Sequence, residues 1–144
     1  MKKLAISFLI STLFLLGCNS APLFGEEEGE KMTMDFVELV RTDPAAAYQE
    51  TNEALQNVSS EEDFMAFSEN PIVQHVESIS VEGTDIESAF YDSDYGGAVA
   101  RITLTGACAF TDGSTGTFDA TWSYNFDKEK WEVEGLNFYP ETAQ

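Results

Sequence analysis

Long apolar runs, histidine, cysteine and basic residues are all scarce in this chain of 144 residues. The most apolar stretch, Leu4 to Leu16, is shorter than the roughly 20 residues a helix needs to cross a bilayer. The single histidine, His75, is a residue type that alone is more often structural than catalytic. Two cysteines, Cys18 and Cys108, form no Cys-x-x-Cys pair, and neither a phosphate loop nor a Gly-x-Ser-x-Gly elbow is present. Seven Lys and Arg stand against 26 Asp and Glu, a formal charge of −19. A surface so acidic repels nucleic acid and anionic headgroups, which excludes nucleic acid as a partner.

The acids are spread along the chain apart from Glu26-Glu27-Glu28 and Glu30, the pattern of a solvated acidic surface. Residues 19–30, NSAPLFGEEEGE, combine Pro, Gly and charge without a period and predict a flexible acidic tether. Regular patterning runs from residue 31 to Pro140, enough for one domain with a single core, followed by a tail at 141–144.

The first half of that domain reads as helical. MDFVELVRT sets Met34, Phe36, Val37 and Val40 on a short amphipathic helix. Asp43 and Pro44 suit the start of the next one, and Ala47, Tyr48, Thr51, Ala54, Leu55 and Val58 form its stripe. Ser59 and Ser60 ahead of Glu62 and Asp63 make a capping box before Phe64 and Phe67, and Asn70-Pro71 ends that helix. The second half alternates with period two. Ala98 to Phe110 put their even positions, Cys108 among them, on one face. After the TDGSTG loop, Phe118, Ala120, Trp122, Tyr124 and Phe126 share another, and Gly135 stands where the last strand changes phase, as at a bulge. A strand over Val76–Val81 and a further one at DIESAFY complete the sheet. Helices first and strands second predict an α+β fold, with N-terminal helices packed on a curved antiparallel β-sheet.

The basic start at Lys2-Lys3 and the apolar stretch after it read as a secretory signal. Leu15-Leu16-Gly17-Cys18 then resembles the lipobox of bacterial lipoproteins. That likeness implies a signal peptide over residues 1–17, cut before Cys18, and a thiol carrying diacylglycerol. The alternative is an ordinary signal peptide with an incidental cysteine. Acylation implies a cell-envelope address, lipid-anchored, with the membrane as partner through Cys18. Asn19 lacks the aspartate of inner-membrane retention, so a diderm host implies the outer membrane, facing the periplasm. Loss of Lys2 and Lys3 takes the chain from −19 to near −21. Cys108 is then unpaired, and Gly106, Ala107, Ala109 and Phe110 around it offer no cation to activate it, so it is expected to be buried.

A looser likeness covers residues 36–140. FVELVRTDPAAAYQETNEALQNVSSEEDFMAFSENP, the meandering strands and the terminal KWEVEGLNFYP resemble small secreted members of the nuclear transport factor 2-like, or cystatin-like, superfamily. Their ending also resembles relatives of cytochrome oxidase assembly factors. The superfamily holds isomerases and dehydratases as well as non-enzymatic binding domains, so the likeness leaves function to the site. Enzymes on that scaffold place a carboxylate or histidine inside the cone. The inward faces of the two clearest strands here carry no ionisable side chain, so no catalytic residue is assigned.

Tyr48, Trp122 and Tyr124 are the candidates for lining a cavity, with plain core as the alternative. In YDSDYGG, Asp92 and Asp94 have calcium-loop spacing, but Gly96 and Thr103 occupy ligand positions, so no metal site and no cofactor are expected. The sequence thus points to a lipid-anchored, non-catalytic binding or accessory domain, taking an envelope protein or a small apolar ligand. An isomerase or hydratase using Tyr48 with His75 or an acid of DIESAFYDSD, and an assembly or stress-related accessory lipoprotein, are the alternatives.

Overall fold

The computed structural model describes residues 21–92 and 97–141, with side chains omitted for 88–99. Cys18 and the lipobox lie outside the described residues, as do Asp94 and Gly96 of the calcium-like stretch. Five helices precede four strands: α1 Glu26–Thr42, α2 Pro44–Gln49, α3 Glu53–Val58, α4 Glu61–Ser68, α5 Pro71–His75, β1 Val76–Asp92, β2 Gly97–Phe110, β3 Thr115–Asn125 and β4 Lys130–Pro140. The strands form one antiparallel sheet in the order β1-β2-β3-β4. This is the α+β arrangement of helices laid against a curved meander.

The first helix begins at Glu26, so the acidic run is its opening turn rather than part of a tether reaching residue 30. Three carboxylates there face the partial positive charge of the helix N-terminus, which favours helix over coil. The buried positions Gly29, Thr33, Phe36, Val37 and Val40 recur at spacings of four and three, one face of a helix. Two of the five are not strongly apolar, which hides the stripe from a hydropathy reading. Gly29 makes room for its neighbours: a Cβ there would stand 2.8 Å from Leu104 Cδ1 and would push that side chain aside. Small residues let α1 settle close onto the sheet, where Val81 N–H of β1 donates to Glu30 Oε1 at 2.8 Å.

The expected helix over 44–58 is two helices. Residues 50–52 leave the helical path and pair with β4: Asn52 N–H donates to Val133 O at 2.8 Å, and Val133 N–H to Glu50 O at 3.0 Å. Asn52 then caps α3, its side chain accepting from Leu55 N–H. Val58, assigned to the buried stripe, is 82% exposed as a consequence. The Ser60–Asp63 capping box forms at the start of α4 with both reciprocal bonds present. Arg41, in the last turn of α1, donates to Val73 O at 2.9 and 2.7 Å and also to Val76 O, fixing α5 and the start of β1 to α1.

β1 is one continuous strand, where two were expected, with register shifts at Val76/Ser78, Val81/Gly83 and Glu87/Phe90. It pairs with β2 as far as Asp92↔Gly97. The β3–β4 register shifts between Thr121 and Trp122, where Gly135 and Val133 are the partners and Glu134 is the extra residue of a bulge. That is the phase change seen in the sequence. Ile102, Leu104, Cys108, Phe110, Phe118, Ala120 and Trp122 are buried on the inner face. Across the outer face Arg101 of β2 reaches Glu87 of β1 at 3.0 Å and Glu134 of β4 at 2.8 Å. Among the described residues no helix is long and apolar enough to cross a membrane.

Candidate functional site

Trp122 belongs to the packed interior. It is 6% exposed, its ring centroid is 6.2 Å from that of Phe36, and its indole N–H donates to Thr33 Oγ1 at 3.3 Å. Tyr48 stacks near Phe64 at 5.7 Å and donates its hydroxyl to Ser59 O at 2.8 Å, closing α2 onto the turn before α4. Tyr124 lies at the far end of β3, 5.2 Å from Trp131 and 5.1 Å from Phe126. Trp122 and Tyr48 thus pack on the two members of the Phe36–Phe64 pair, Tyr124 lies apart from them, and none of the three lines the groove described next.

An apolar groove opens between α3, α4 and the edge strand β4. It has a volume of about 240 Å³ and is lined by Phe36, Leu55, Ser59, Phe64, Phe67, Val133, Gly135, Leu136 and Asn137. Its origin is local. Thr51 and Asn52 pair with Val133, so α3 starts against β4 and then diverges from it. Phe64 packs 6.4 Å from Phe36 and 5.8 Å from Phe67, which props α4 away from the strand. The bulge at Glu134–Gly135 turns Leu136 to the inner phase, and Gly135 contributes no side chain to fill the gap. Tyr48 packs on Phe64 and bonds Ser59 O from outside the lining.

The lining holds no Asp, Glu, His, Lys, Arg or Cys. Its polar side-chain group is the Ser59 hydroxyl, beside backbone; the Asn137 amide donates instead to Asp119 Oδ2 at 2.8 Å. Such a surface takes up apolar groups and orients them with one or two hydrogen bonds, but it has nothing to move a proton. The volume falls slightly below the usual range for drug-sized ligands, which suits a small apolar compound or one apolar side chain of a partner.

The remaining groups singled out by chemistry lie elsewhere. His75 is exposed at the junction of α5 and β1, with Nδ1 3.1 Å from Thr111 Oγ1, away from the Tyr48–Ser59 contact. Cys108 is buried, its thiol donating to Thr117 O at 3.5 Å; burial, with the Glu141 charge adding, pushes the thiol up and keeps it protonated. Among the described residues no group of three His, Cys, Asp or Glu is placed to hold a metal. A second, shallow depression lies where Thr105, Thr117, Asp119 and Tyr139 meet. There the hydrogen bond to Asp119 pushes the Tyr139 phenol up, but Tyr139 is 53% exposed, and water at the surface screens such a pair.

Pattern reading missed Leu55, Phe64, Phe67 and Leu136 as a group because they come from three elements. The available signal was the i, i+3 pair Phe64 and Phe67 together with the phase change at Gly135. Comparisons with protein-family models, curated proteins and solved structures found no match for this chain.

Proposed function

We propose that the chain is a lipid-anchored protein of the bacterial cell envelope whose domain binds a small apolar ligand or an apolar side chain of an envelope partner without catalysis. The observation that carries the binding role is the half-open groove, apolar on three sides and free of ionisable groups. A binding surface needs shape and desolvated apolar area; a general acid–base site needs a proton carrier within reach of the substrate. The anchoring role rests on Leu15-Leu16-Gly17-Cys18, and the scaffold resembles the nuclear transport factor 2-like superfamily. In a diderm host the address is the outer membrane, facing the periplasm.

The neutral fluorophore N-phenyl-1-naphthylamine suits the groove test, because a domain this acidic repels anionic dyes. Its emission should rise on binding to the chain from Asn19 onward. Leu55→Glu places a carboxylate in the lining and should weaken binding at least tenfold, about 1.4 kcal/mol. Val58→Glu, on the same helix but outside the groove, should leave binding unchanged. Equal binding by both variants would reject the groove as the site. For the anchor, fatty-acid labelling in a bacterial host should mark the wild type and not Cys18→Ala; label retained in the variant would reject acylation at Cys18.

A further inference from the structure

Pro22 and Phe24 are fastened to one end of the domain. Trp131 donates its indole N–H to Pro22 O at 3.0 Å, and Phe24, buried, stands edge-on to the Trp131 ring at 5.1 Å. Tyr124 and Phe126 continue this aromatic patch beside the β3–β4 turn. Leu23 projects from it at 64% exposure, in a position where no folding contact accounts for an apolar side chain. Lys128 and Lys130 lie in the turn and its edge, two of the five basic residues that remain after the signal.

Pro22 is four residue-to-residue steps from Cys18, and a chain covers at most about 3.5 Å per step, so Pro22 lies within about 14 Å of the acylated cysteine in any conformation. An acylated cysteine sits at the boundary between hydrocarbon and headgroups, and headgroups occupy roughly 6 Å on each side of a bilayer. A tether reaching residue 30 would let the domain tumble freely; a chain pinned at Pro22 and Phe24 does not. From this we infer that the end of the domain carrying Leu23, Phe126, Trp131 and the β3–β4 turn is its membrane face, resting on the lipid interface while the opposite end points away.

The inference depends on acylation of Cys18. Its chemistry is that of an interfacial belt, Trp and Tyr with an apolar body and a polar edge and a free leucine, while Lys128 and Lys130 are ion-paired to Glu132 and Glu50 in a turn that also carries Asp127 and Glu129. Charge attraction plays no part, since Glu26, Glu27 and Glu28 begin α1 immediately behind the patch. The acyl chains hold the protein, and the patch sets its orientation. The groove between α4 and β4 then remains open to the aqueous side.

The opposite end holds the β2–β3 loop and the start of β1. The eleven residues of β3 span about 34 Å between the two ends. The test uses the full mature protein, purified from bacterial membranes and reconstituted into phosphatidylethanolamine–phosphatidylglycerol vesicles. Nitroxide labels go on Lys128→Cys at the turn and on Glu77→Cys, an exposed position at the other end; Cys108 is buried and escapes labelling. The Lys128 label should show lipid-like relaxation by oxygen over a polar nickel chelate, several-fold above the Glu77 label, which should read as water. In the unlabelled protein, lipids brominated in the acyl chain should quench Trp131. Acylated protein with both labels in water, or with Glu77 the closer, overturns the orientation. A mature mass without acyl chains overturns the orientation and the anchor together.

Discussion

The two ends of the helical layer meet the same sheet in opposite ways. Along α1 the helix and the sheet are sealed: Gly29 and Thr33 let the helix come close, Val37 and Val40 are fully buried, and Trp122 fills the space beneath Phe36. Along α3 and α4 contact is partial. No residue of α3 is fully buried, and α4 buries only Phe64 and Ser68. The difference follows from side-chain size and from strand geometry. Small residues at the α1 contact allow ridge-to-sheet packing, whereas phenylalanines at α4 and the bulge in β4 keep the surfaces apart. The same fold thus separates a part that supplies stability from a part that has room to bind.

That separation fails first at Trp122. Its replacement by Ala should destabilise the domain by about 3–5 kcal/mol, because a large buried ring leaves a cavity that the sealed side cannot close. Chemical denaturation measures it, and a loss below about 1 kcal/mol would place Trp122 against open space instead. Next in size is Arg41→Leu. The guanidinium satisfies the carbonyls of Val73 and Val76, and hydrogen bonds from a charged donor are worth roughly 1.5–3 kcal/mol each in context. Loss of that order, with α5 and the start of β1 gaining hydrogen exchange ahead of the rest, is expected. On the open side, Leu136→Ala should cost only about 1 kcal/mol, since a half-buried leucine has about half the transfer energy to lose.

The smallest effect concerns the Ser60–Asp63 box. Hydrogen bonds from Ser60 to the Asp63 carboxylate hold it below its ordinary value. A carboxyl depressed in the folded state adds stability above its unfolded pKa, about 3.9, and loses it as pH falls through the folded value. Wild type and Ser60→Ala should therefore differ most near neutral pH and converge in strong acid. Carbon-detected NMR titration should show the Asp63 pKa rising toward the ordinary range in Ser60→Ala.

Legibility in the sequence divides along the same line. The sealed side is periodic: Ile102, Leu104, Cys108 and Phe110 alternate, as do Phe118, Ala120 and Trp122, and period two reports which face is buried. The capping box and the bulge glycine are local signals and read correctly. The start of α1 at Glu26 was hidden because Gly29 and Thr33 do not look like a stripe; only their distance to Leu104 and Trp122 explains them. The break at residues 50–52 was hidden because Thr51 and Asn52 answer to Val133, about eighty positions away, and no pattern within the segment records that pairing. The groove inherits both difficulties. Leu55 and Leu136 read as ordinary core leucines until the break and the bulge bring them to the two sides of one opening.

Methyl NMR of the domain with the neutral ligand N-phenyl-1-naphthylamine tests the division between sealed core and open groove most directly. The methyl signals of Leu55, Val133 and Leu136 should shift on titration, while those of Val37, Val40, Ile102 and Leu104 stay in place. Shifts centred on the α1 side, or spread evenly through the core, would contradict it.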